Sequence, residues 1–151
     1  MLESEDAMIQ SMLVGVDFSE ASRQALNQGR SLAERLGVPL TALHVLQLPP
    51  PLLPEIQLPL PDPDWTQDME RRAREQLEKW IEGFPNAEAL VRWGSPAEEL
   101  VATADPNTLL VVAQVGHSTW ERMLFGSTAA RVVKHAPCDV LVVRAEQKKK
   151  A

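Results

Sequence analysis

The sequence predicts an α/β fold, an open parallel sheet of five strands with helices on both faces. Three observations carry this reading. Short apolar runs alternate along the chain with segments of helical period, and no two consecutive runs are joined by a hairpin turn. The runs are also nearly continuous in apolar residues, as strands covered on both sides are. Sheets of this kind take ligands outside the carboxyl ends of their strands, where the strand order reverses. The segments expected there follow the first, second and fourth strands. They are Asp17-Phe18-Ser19, His44-Val45 and the run from Gly116 to Thr128.

The first strand is expected over Ile9 to Val16. Ser19 suits an N-cap, and Ala21, Ala25, Leu26, Gly29, Leu32, Ala33 and Leu36 form the i, i+3, i+4 stripe of a helix laid on a sheet. Gly37 and Pro39 stop that helix, and Leu40 to Leu46 is the second strand. Residues 47–63 are a proline-rich insertion with seven prolines between Pro49 and Pro63. Proline has no amide donor and a fixed φ, so this run is neither helix nor central strand. Its leucines fit an arm packed on a surface, and a polyproline ligand is the alternative. Asp64 opens the next helix, with Trp65, Met69, Ala73, Leu77, Trp80 and Ile81 on one stripe. Asp68–Arg72 and Glu70–Arg74 have the spacing to pair on the other.

Ala89 to Trp93 is the third strand. Ser95, Pro96 and Glu98 have the spacing of a capping box with proline at the first helical position, opening a short helix to about Ala104. Leu109 to Gln114 is the fourth strand and Ser127 to His135 the fourth helix. Pro137 ends that helix, and Asp139 to Arg144 is the last strand.

Composition excludes several functions. The chain of 151 residues is expected to form one domain. Its net charge of −6 offers no basic field for nucleic acid. The lysine-rich tail, 145–151, reads as a solvated end. The acidic start lacks the apolar run of a secretory signal, and no stretch approaches the ~18 apolar residues of a membrane span. The one cysteine, Cys138, forbids an internal disulfide and fits a reducing, cytoplasmic setting. It reads as an inert core thiol.

There is no P-loop, no G-x-G-x-x-G after the first strand and no G-x-S-x-G nucleophile elbow. His44, His117 and His135 lack metal-ligand spacing. His44 reads as a strand residue with a satisfied hydrogen bond, and His135 as a favourable charge at a helix C-terminus. What remains is Gly116, nine residues, then Gly126-Ser127-Thr128 at a helix start. Glycine admits close approach, and the first amides of a helix attract anions. The segment is therefore either a phosphate cradle or a loop with a helix cap.

Four stretches occur in the order found in universal stress proteins: LVGVDFSEASRQAL, LTALHV, GSPAEEL and GHSTWERMLFGSTAARVVKHAPCDVLVV. The closing run from Gly126 to Val143 is the most specific. The resemblance covers nearly all of the chain except the first ten residues, the proline-rich insertion and the lysine tail. It implies a Rossmann-like sheet, akin to the adenine nucleotide alpha hydrolases, with strand order 3-2-1-4-5. It also implies a homodimer through Asp139 to Arg144.

Members that bind ATP resemble G-x-x-G-x9-G-[ST] in the long loop, and Gly116, Gly126 and Ser127 match. By the same resemblance Val16 and Val45 lie beside adenine and Asp17 contacts the ribose; read from the residues alone, Ser127 or Thr128 offers a hydroxyl to a phosphate oxygen. Ala113 stands where the first motif glycine would be. Its methyl either crowds the nucleotide or forbids a positive φ, unless the backbone there is extended and alanine costs little. Part of the family binds no nucleotide.

Three functions follow. The first is a dimer binding ATP (with Mg2+) or AMP as a regulatory or signalling ligand. The second is a structural or signalling dimer without nucleotide. The third is an enzyme, at most a slow ATPase. The S-G-G-x-D-S loop of related nucleotide-activating enzymes is missing, and Glu121 is no evident base.

Overall fold

A computed structural model of the chain describes residues 8–48, 62–115 and 126–144. Most of the proline-rich insertion, the segment 116–125 and the lysine-rich tail lie outside the described residues. The elements run β1 (Ser11–Gly15), α1 (Glu20–Leu36), β2 (Leu40–Leu46), α2 (Pro63–Trp80), β3 (Ala87–Trp93), α3 (Pro96–Thr103), β4 (Thr108–Ala113), α4 (Ser127–His135) and β5 (Asp139–Val143). Every strand pair is parallel, and the order is β3-β2-β1-β4-β5. The chain thus lays strands outward from β1 on one side, then returns to build on the other. The reversal falls between β1 and β4.

Strand alternation sorts the core into two layers. Met12, Val14 and Val16, with Leu40, Ala42 and Val111, face α1 and α2 through Ala25, Leu26, Ala33, Ala73 and Leu77. Leu13, Leu43, Leu110 and Val112 face α3 and α4 through Ala97, Leu100, Ala129 and Val132. Burying both faces explains why the strands read as continuous apolar runs.

The caps follow local chemistry. Ser19 is extended, and its hydroxyl accepts from Ser22 N–H at 3.1 Å. Gly37 ends α1 in the left-handed region at φ 68°, its N–H bonding the Ala33 carbonyl. α2 begins one residue earlier than the sequence reading placed it. Pro63 takes the first turn, where its missing N–H costs nothing, and Asp62 is the N-cap, accepting from Asp64 N–H at 2.9 Å.

Three local expectations differ from the structure. Ser95 is the extended N-cap of α3, but its side chain makes no cap bond. Glu98 does not complete a capping box; it pairs with Arg131 of α4 at 3.3 Å. Asp68–Arg72 forms at 3.0 Å, whereas a Glu70 carboxylate oxygen accepts from Trp93 Nε1–H at 2.6 Å, joining α2 to the end of β3. For Glu98 and Glu70 a tertiary partner outcompetes the local one. Trp65, expected on the packed stripe of α2, is 43% exposed, with its ring 6.3 Å from that of Trp93 at the end of β3.

Candidate functional site

The strand-order reversal opens a crevice of about 420 Å³. Its floor is the carboxyl ends of β1, β2 and β4, and its wall is the N-terminal ends of α3 and α4. Val16, Asp17, Val45, Gly126, Ser127 and Thr128 all line it. The sequence reading named these residues from three separate stretches, and the fold brings them together. Gly116 lies outside the described residues.

At one end of the crevice β1 leaves the sheet. Val16 N–H still donates to the Leu43 carbonyl at 2.8 Å. The Val16 carbonyl accepts from His44 Nδ1–H at 2.7 Å. That confirms the satisfied bond expected for His44. The next residue, Asp17, braces the entry to α1: its Oδ1 accepts from Ser19 N–H at 3.0 Å and from the Ser19 hydroxyl. Asp17 N–H donates to Ser22 Oγ at 3.3 Å. Asp17 therefore both lines the crevice and holds a helix start.

At the other end, Gly126 is placed by backbone bonds. Its N–H donates to the Gln114 carbonyl at 2.6 Å, and Gln114 N–H donates to the Val143 carbonyl at 2.8 Å. Gly126 itself is the N-cap of α4, so no side chain caps the helix from that position. Ser127 and Thr128 occupy its first turn rather than the cap. Their hydroxyls stand beside first-turn amides, a favourable place for an anion.

Ala113 closes β4 in register with Val143. Its backbone is extended, since Phe18 is the only described non-glycine residue with positive φ. The methyl packs with the layer under α1. The positive-φ alternative is thereby removed, while Ala113 itself lines the crevice.

The sequence reading missed several lining residues. Ser95, Pro96 and Ala97 enter because α3 starts over the crevice, and Gln47 and Gln114 because they follow strand ends. Arg131 is the one arginine or lysine among the described lining residues. Its spacing of four from Ser127 was the available signal, since i and i+4 share a helix face.

Cys138 is half-buried just before β5, and burial pushes its thiol up from the ordinary value. It lies on the α3–α4 layer and does not line the crevice. No group of three potential metal ligands gathers among the described residues, and no described helix is long and apolar enough to cross a membrane. A second hollow, about 390 Å³, sits by Arg30, Gly37 and Phe84, at the opposite, amino end of β2 and β3. The switch-point crevice is the one that combines an apolar floor, a carboxylate and a helix N-terminus. That set suits a ligand with a flat apolar ring, hydroxyl donors and an anionic group.

Comparisons with known proteins agree on one family. The model of the universal stress protein family matches residues 8–144. A Staphylococcus saprophyticus protein named as a universal stress protein is 29% identical over 145 residues, covering 91% of this chain and 84% of that one. A universal stress protein of Mycolicibacterium smegmatis is 33% identical over 139 residues, covering 88% of this chain but 45% of the relative. The chain thus spans about half of the mycobacterial relative and most of the staphylococcal one. Among solved structures, universal stress protein UspA from Lactobacillus plantarum superposes with TM-score 0.69 at 27% identity, over 91% of this chain and 99% of that one. A universal stress protein in complex with cAMP gives TM-score 0.57 at 26% identity, over 90% and 97%. The family model covers well over half of the chain, and the fold and crevice agree with it: the chain belongs to the universal stress protein family.

Proposed function

We propose that the crevice binds an adenine nucleotide, ATP with Mg2+ or AMP, as a regulatory or signalling ligand of a homodimeric, cytoplasmic protein. The observation that carries this reading is the meeting of Asp17 with Gly126, Ser127 and Thr128 across one crevice. In this reading Val16 and Val45 flank the adenine. Asp17 accepts from the ribose hydroxyls, as a carboxylate is suited to do. Gly126, Ser127 and Thr128 receive the phosphates, together with Gly116 as the family resemblance implies. A family member of similar fold is known in complex with cAMP, which supports an adenine ligand here.

A second reading has its own observation. Asp17 Oδ1 is already engaged by Ser19, as a purely structural helix-start aspartate would be. A nucleotide-free signalling dimer is then the alternative. The nucleotide released by denaturing the purified protein, together with calorimetric titration of ATP and magnesium, decides between them. Micromolar to high-micromolar binding is expected. No released nucleotide and no heat at millimolar ATP would overturn the nucleotide reading.

A further inference from the structure

We propose that His44 is a positioning residue of the crevice, setting where Asp17 stands by gripping the chain on both sides of it. Backbone pairing between β1 and β2 runs from Met12–Leu40 to Gly15–Leu43. One step beyond, the Val16 carbonyl is held by a side chain, His44 Nδ1, at 2.7 Å. A carbonyl oxygen only accepts, so Nδ1 carries the proton. This fixes the tautomer of the neutral ring, and the bond survives protonation because the imidazolium also keeps a proton there.

On the far side of Asp17, Phe18 sits at φ 64°. A phenylalanine keeps that backbone only where its surroundings hold it. The surroundings are the His44 imidazole, 4.5 Å away between ring centroids, and the Trp80 indole, edge-on at 5.2 Å. Arg23 covers the indole at 4.1 Å. His44 thus holds the residue before Asp17 by its carbonyl and the residue after it by its ring. The left-handed step at Phe18 carries the chain from β1 into α1, and the Asp17 carboxylate is oriented within it.

The affinity arm of the test depends on the nucleotide reading, and the spectroscopic arm does not. In the full chain, long-range proton–nitrogen correlation should show His44 as the Nδ1–H tautomer. His44→Phe keeps a ring and removes the donor; His44→Asn keeps a donor near the Nδ1 position and removes the ring. Amide exchange at Ser19 and Ser22, both bonded inside this turn, should quicken about tenfold in His44→Phe, the loss of one hydrogen bond. His44→Asn should restore most of that protection, and β4 amides should not change in either variant. Adenosine affinity should fall by a similar factor in His44→Phe and recover in His44→Asn. If the unmodified chain binds neither adenosine nor ATP, the nucleotide reading fails and exchange alone decides the role of His44. An Nε2–H tautomer, or equal exchange in the unmodified chain and His44→Phe, overturns the proposal.

Discussion

Phe18 shows how a single residue can be held against its own preference. The left-handed region costs an L-residue with a Cβ about 1–2 kcal/mol, and here ring packing offsets that cost. Phe18→Ala loses the packing and keeps the backbone cost; Phe18→Gly loses the same packing and sheds the cost. The glycine variant is expected to be more stable than the alanine variant by about 1 kcal/mol in urea unfolding. Equal midpoints would show that the turn is not strained. Ala113 presents the opposite case, since its backbone is already extended. Ala113→Gly should therefore cost about 0.5–1 kcal/mol of stability and leave ATP affinity within twofold, because no forbidden φ is released. Tenfold tighter binding would mean that the methyl does obstruct the ligand. Ser127→Ala should weaken ATP by about 1–2 kcal/mol through loss of a hydrogen bond to a charged group. Adenosine, which lacks the phosphates, should be unaffected by it in the same titration.

At the scale of elements, α1 lies so close to the sheet that its own glycine is part of the contact. A Cβ built on Gly29 would stand 2.8 Å from Val14 Cγ2, and Val14 is fully buried. Gly29→Ala gains up to about 1 kcal/mol of helix propensity. Overpacking at such a site costs about 1–3 kcal/mol. A net loss is expected in thermal unfolding. Gly37 is the control, because nothing lies within 4 Å of its would-be Cβ and only its positive φ is at stake. If Gly29→Ala proves stabilising, α1 rides higher on the sheet than the contact with Val14 implies. The junctions between elements obey the same competition. Glu98 joins α3 to α4 and Glu70 joins α2 to β3, each abandoning the local partner that its sequence spacing offered.

For the molecule as a whole, the strand order leaves β5 at an edge. Val140, Leu141, Val142 and Val143 are half-buried there, and an apolar edge strand invites pairing with another chain. This supports the proposed homodimer through Asp139 to Arg144. Replacing Val142 with Lys should give monomers or insoluble protein. Light scattering at micromolar concentration checks the starting point, and a monomeric unmodified chain would remove the proposal. The same order places β1 and β4 side by side in the middle of the sheet. Their connections leave toward opposite faces, and the crevice opens between them.

The sequence by itself determined the α/β alternation, because each element is specified by local period and punctuation. β2 and α4 match their expected bounds, and Ser19 and Gly37 cap α1 as their chemistry requires. The remaining boundaries moved by a residue or two, where fraying and caps are weakly encoded. The candidate site was legible as three separated stretches: the strand ends and the helix start at Gly126 are visible locally, while Val16, Asp17 and Val45 were singled out by the family resemblance. Only the tertiary structure decided the rest. Arg131 and the start of α3 enter the crevice through helix placement, and no local pattern carries that. The extended backbone at Ala113 is imposed by its pairing with Val143. The left-handed Phe18 was invisible for the same reason: nothing in Asp17-Phe18-Ser19 favours positive φ, and the groups that sustain it, His44 and Trp80, come from β2 and α2. Local signals fix what each segment can be, and contacts between segments distant in sequence fix where its side chains stand.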